Sequence, residues 1–178
     1  MDTLQTDLLK CDLQTILSSL GDFGELKYFK VCDSKYLVGA TKLCINDLCD
    51  NYVFKIGLTE DIDGKPILVN HAEREESIYK WAEKKGLATA LLPTTFFGVL
   101  HGLEVYTQPY CKAAAEELVV YDEEEIQKNF ERIELSPQLL IEFLVAYGLD
   151  YMLKLDKFFV EMEIDDITDF NVGYYENR

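Results

Sequence analysis

Between residues 27 and 109 the periodicity of the chain changes twice, and that alternation limits the fold more than any other feature. The run "KYFKVCDSKYLVGATKLCINDLCDNYVFKIGL" is rich in β-branched and aromatic residues. Turn material breaks it at Asp33-Ser34 and between Asn46 and Asn51, which predicts three strands. "NHAEREESIYKWAEKKG" then reads as a helix, with Asn70 as its cap and Gly86 as its stop. "TTFFGVL" and "LEVYTQP" follow as two strands around His101-Gly102, a pair suited to a tight hairpin turn.

Helices flank this region. Leu4, Leu8, Leu9, Leu13, Ile16, Leu17 and Leu20 recur at three- and four-residue spacing before Gly21, the pattern of an amphipathic helix. After Tyr110 the strands give way to "DEEEIQKNFERI", to "SPQLLIEFLVAYG" with Ser136 as cap and Pro137 in the first turn, and to "LDYMLKLDKFFVEME". All three read as helices. The expected fold class is α+β: one compact unit with an N-terminal helix over 1–22, a β-rich region over 23–110 and a mainly helical region over 111–178. A chain of 178 residues that is 48% hydrophobic can bury a sizeable core. The aromatic side chains, Trp81 among them, are expected in that core.

Charge and composition exclude several function classes. Seventeen basic against thirty-three acidic residues give a net charge of −16. Direct nucleic-acid binding requires Lys and Arg to displace counterions from phosphates, so the partner expected for this chain is a basic protein surface. No apolar run reaches the roughly eighteen residues of a membrane span. The five cysteines, at 11, 32, 44, 49 and 111, have no paired spacing, and "MDTLQTDLLK" has no secretory pattern, so cytoplasmic reduced thiols are expected. Neither His71 nor His101 accompanies a nucleophile in a hydrolytic motif.

Three strands, a helix and two strands also follow one another in the small lobe of protein kinases, a five-stranded antiparallel sheet with one inserted helix. "NYVFKIG" resembles the kinase third strand, with Lys55 in the place of the lysine that pairs ATP phosphates. Aligning Ile78 and Tyr79 with the apolar pair of the kinase helix puts Glu75 at the carboxylate that holds that lysine. "VYTQPYC" falls where kinases reach the hinge, which would be Pro109, Tyr110 and Cys111. Gly39, in "VGATKL", sits where a glycine-rich phosphate loop is expected. Asp166, Ile167 and Asn171 match the catalytic loop, in which the Asp takes the hydroxyl proton and the Asn helps to hold magnesium. "FFVEMEIDDITDFNVGY" is similar to the kinase-like proteins of phages and prophages, where an "INDLHSGNIGY"-type loop follows an "FxxENE"-type helix end. The resemblance spans residues 35–178.

The departures from that pattern point to lost catalysis. The phosphate loop keeps one glycine, Thr168 and Phe170 replace a histidine and a small residue, and no second metal-binding Asp follows residue 171. The resemblance therefore implies a degenerate kinase-like protein, encoded by a phage or prophage, that needs no cofactor. It is expected to inhibit a host protein, such as a nucleic-acid-binding defence component targeted by anti-CRISPR proteins, or a polymerase. Glu116, Glu117, Asp122, Glu123, Glu124 and Glu125, six acids in ten residues, are the expected docking patch. The alternatives are a residual phosphotransferase using ATP, magnesium, Lys55, Glu75, Asp166 and Asn171, and an unrelated acidic α+β interaction domain.

Overall fold

The structure, a computed structural model, describes residues 10–15, 36–38, 41–45, 51–61, 63–113, 129–165, 167–168 and 172–174. The protein is α+β and divides into two units. One takes Met1–Trp81 and Leu92–Tyr110, the other Ala82–Leu91 and Cys111–Arg178. The division at Tyr110 falls where strands give way to helices in the sequence.

The first unit holds an antiparallel sheet in the order β1-β2-β3-β5-β4. Its body is β2 (Lys42–Ile45), β3 (Tyr52–Gly57), β4 (Thr95–Leu100) and β5 (Leu103–Pro109), with the three-residue β1 (Tyr36–Val38) along β2. Successive side chains of a strand point to opposite faces, so alternation sorts the sheet into two surfaces. Leu43, Ile45, Phe54, Ile56 and Val105 build the core on one face, together with Leu58, Leu100 and Leu13. Leu13 lies in α1, whose described part is residues 10–15, and its side chain is fully buried. The remaining leucines of the N-terminal pattern lie outside the described residues.

His101 and Gly102 both have positive φ (50° and 77°), as the tight β4–β5 turn requires. A bulge at Phe96/Gly98 interrupts the register of these strands, and the Phe96 N–H donates to Glu76 Oε1 at 3.1 Å.

Helix α2 (His71–Lys85) starts where Asn70 Oδ1 accepts the backbone N–H groups of Ala72 (3.1 Å) and Glu73 (3.3 Å). These are donors that have no partner within the helix. Gly57, at the end of β3, makes room for this cap, because a Cβ there would collide with the Asn70 side chain. The helix stops at Gly86, with φ +71°. Trp81 departs from the core expectation: it is 51% exposed, while Ala82 beside it is fully buried. Ala72 and Ala82, ten residues apart, set the buried stripe of the helix, and Trp81 stands off that stripe.

The second unit contains α3 (Pro137–Tyr147) and α4 (Leu149–Glu161), joined at Gly148 with φ +81°. Ser136 occupies the N-cap position of α3, but its side chain makes no cap hydrogen bond. Met152, Leu155, Phe158 and Phe159 form the buried stripe of α4. Among its described residues are also two pairs of two-residue strands: β6 (Lys112–Ala113) antiparallel to β9 (Gly173–Tyr174), and β7 (Ile133–Glu134) parallel to β8 (Ile167–Thr168). The helix expected over 122–133 is corrected in its described part, because residues 129–134 are not α-helical and end in β7. The physical reason is Asp156 on α4. Its buried carboxylate accepts the N–H groups of Glu131 (2.9 Å), Arg132 (2.8 Å) and Ile133 (3.0 Å), holding the backbone out of a helix.

Candidate functional site

Among the described residues, sequence-predicted site residues meet on the polar face of the sheet. Lys55 lies on the central strand β3, opposite Cys44 of β2 and Tyr106 of β5. Opposite partners share a face, so these three side chains stand together on the surface away from the core. Glu75, three residues after the buried Ala72, is on the inward side of α2. Its Oε2 lies 2.8 Å from Lys55 Nζ, the ion pair expected from the alignment.

Lys42 joins this pair without having been expected. It ion-pairs with Glu75 Oε1, so each oxygen of one carboxylate takes one lysine. The Lys42, Lys55 and Glu75 side chains keep 25%, 13% and 24% of their surface exposed. Lys42 was legible only as part of an alternation in which Leu43 and Ile45 point to the core and Lys42 and Cys44 point away. The sequence alone gives no sign that both lysines reach the same carboxylate.

Protonation follows from these neighbours. Burial raises the Glu75 pKa, but Lys55 and Lys42 outweigh it and hold the carboxyl below its ordinary range. Burial pushes the Cys44 thiol up, further than the two lysines bring it down. Burial lowers His71, and Lys42 and Arg74 lower it further against the opposing pull of Glu75. Tyr106 is raised by burial and by Glu104, Glu73 and Glu76, and its hydroxyl donates to Glu104 Oε2 at 3.2 Å.

The hinge candidates are placed individually. Pro109 is buried opposite Tyr52 at the end of β5, and the Tyr110 N–H donates to Asn51 O at 2.8 Å. The Tyr110 side chain is 49% exposed. Burial raises the pKa of the Cys111 thiol, and Cys11, Cys44 and Cys111 are not joined in disulfides. Gly39, Asp166, Asn171, the acids at 116, 117, 122, 123, 124 and 125, and Cys32 and Cys49 lie outside the described residues.

The neighbours of Asp166 and Asn171 are described. β8 follows Asp166 directly and pairs with β7, β9 lies two residues after Asn171 and pairs with β6, and Arg132 ion-pairs with Asp165. Asp156 holds β7 and is the second residue that the sequence reading missed. A signal was present: an acid on the apolar stripe of α4, between Met152 and Phe159, needs buried partners.

Among the described residues no three His, Cys, Asp or Glu side chains converge as a metal site requires, and no helix is long and apolar enough to cross a membrane. Compared with known proteins, the chain matches no family model, no curated protein and no solved structure.

Proposed function

We propose that the chain is a degenerate kinase-like protein, encoded by a phage or prophage, which keeps a small-lobe scaffold and has lost phosphoryl transfer. It acts in the host cytoplasm by binding and inhibiting a protein with a basic surface. The observation that carries the kinase relation is the Lys55–Glu75 ion pair, formed between the central strand and the helix inserted before β4. Loss of transfer is supported by the single glycine between Val38 and Lys42, which leaves no glycine-rich backbone to cradle phosphates. Each lost stabilising group of this kind costs about a hundred- to a thousandfold in rate. The basic partner is supported by the net charge of −16 and by the acids between residues 116 and 125.

The test has two arms. ATP turnover with magnesium is measured for wild type and Lys55→Met, and equal background rates are expected. Capture from bacterial lysate is then compared between wild type and a variant with Asp122, Glu123, Glu124 and Glu125 changed to Lys, and the variant is expected to lose the captured protein. The intact ion pair also favours a second reading, a residual ATP-dependent phosphotransferase. Turnover abolished by Lys55→Met would replace the first reading by the second.

A further inference from the structure

We propose that α3 and the start of α4 form the contact face of a homodimer, covered by a second copy of this chain across a two-fold axis. The inference lies wholly within the second unit and does not rest on the partner reading above.

Helix α3 has more apolar surface than the fold covers. All of its eleven residues except Gln138 and Glu142 are apolar, yet the buried ones are Leu139 and Leu140. A helix that is apolar nearly all round is normally enclosed on several sides. Here Ile141 and Val145 are 50% and 82% exposed, and Leu149 and Leu153 of α4 are 51% and 38% exposed. Residues four apart share a helix face, so each helix turns an apolar pair outward. Single exposed apolar side chains are ordinary, but paired stripes on adjoining helices mark a surface that meets another.

The corner between the helices is braced. The Tyr147 and Tyr151 rings stack across Gly148, with centroids 5.2 Å apart and planes 20° from parallel, and the Phe143 ring lies 5.8 Å from Tyr147. The Tyr151 hydroxyl donates to Leu87 O at 2.7 Å, which ties α4 to another segment of its own unit. A face held in this way loses little freedom when it is covered.

Charge and spacing select a second copy as the occupant. Beside the apolar pairs stand Glu142, Asp150, Lys154 and Lys157, two acids and two bases in a chain of net charge −16. A basic partner finds no excess of acids there. The four apolar residues stand two and six positions either side of residue 147, with Glu142 next to Ile141 at one end and Lys154 next to Leu153 at the other. A two-fold axis near Tyr147 therefore sets Val145 against Leu149 of the second copy and Glu142 against its Lys154, and each contact occurs twice. Asp150 has its own place, in the first turn of α4 at the positive end of that helix.

The test is sedimentation equilibrium of the full chain under reducing conditions, which keep the exposed Cys11 from linking copies. A monomer–dimer equilibrium in the micromolar range is expected. The net charges of two copies repel, so the dimer should strengthen as salt rises from about 0.01 M to about 0.15 M. Docking onto a basic surface weakens over the same range, which keeps the failure of one reading distinct from that of the other. Val145→Asp, at a position already in water, should weaken the dimer at least about tenfold, because it places two charges in the apolar contact. At the higher salt, Glu142→Lys and Lys154→Glu should each weaken it about fivefold. The double variant should recover most of the affinity, since each new lysine meets a new glutamate. Circular dichroism establishes that each variant is folded. The proposal is overturned by a wild type that stays monomeric at hundred-micromolar concentration, which would assign the face to another part of the chain or to a different protein. It is overturned equally by species that grow beyond the dimer, by a dimer that salt weakens, or by a folded Val145→Asp protein that dimerises like wild type. A double variant that does not recover overturns the two-fold pairing.

Discussion

The Asp156 carboxylate accepts the backbone N–H of Ile133 at 3.0 Å, and with it those of Glu131 and Arg132. One side chain on α4 thus fixes the stretch that becomes β7, and β7 pairs with β8 beside Asp166. Asp156→Ala strands three donors around a buried site and should cost about 3 kcal/mol or more. Asp156→Asn keeps one acceptor oxygen but turns an amide N–H toward a donor, so it should cost roughly half as much. Urea unfolding measures both. Hydrogen exchange at residues 131–133 should accelerate in the Ala variant, and unchanged exchange there would contradict this account.

Glu75 gives the stability of the first unit an acid limb. Its carboxyl is more acidic in the folded chain than in the unfolded one, so the unfolded chain binds the proton first as pH falls. The contribution is complete at neutral pH, begins to fall near the ordinary carboxylate value of about 4.3, and is gone below the lowered folded value. Glu75→Gln should remove this part of the pH dependence of the urea midpoint. A variant with the wild-type acid limb would show that other carboxyls produce it.

Gly57 and Asn70 should behave as a coupled pair. Gly57→Ala pushes its new methyl into the capping side chain, at a cost of about 1–2 kcal/mol. Asn70→Ala loses the cap and should cost about 1 kcal/mol. In the double variant the collision is gone, so Gly57→Ala should cost much less than it does alone. Additive losses in thermal or urea denaturation would rule out this coupling.

Association with the captured partner should depend on salt as a docking acidic surface requires. The screening length falls from about 30 Å at 0.01 M to about 8 Å at 0.15 M salt, so the association rate of wild type should drop across that range. The variant with Lys at positions 122–125 should associate slowly at both concentrations. Equal rates for the two proteins would assign these acids to solubility.

Short-range patterns made much of the first unit legible. Strand β5 matches its expected bounds, Asn70 caps the helix that its position announces, and His101-Gly102 turns the hairpin. Each of these depends on neighbours within a few residues. Lys55 and Glu75 needed a family pattern as well, because twenty residues separate them. What escaped depends on single side chains reaching across the fold. Lys42 meets a carboxylate thirty-three residues away, and Asp156 overrides a helical text more than twenty residues before it. Trp81 escaped for a different reason, since a hydrophobic residue one position off a helical stripe is turned away from the core.

The bonded amide of Phe96 has a consequence for how copies of the protein meet. β4 ends the sheet on one side and exposes Phe96 and Val99, a surface on which identical chains could stack edge to edge into fibres. A newcomer strand would need a regular row of free donors. It finds instead one donor already taken by Glu76 and a bulge that breaks the spacing at Gly98. Among the described residues, the opposite margin offers the three residues of β1 as a template. Polymerisation through this sheet is thereby discouraged even where synthesis crowds many copies together, and those two apolar side chains can remain in water.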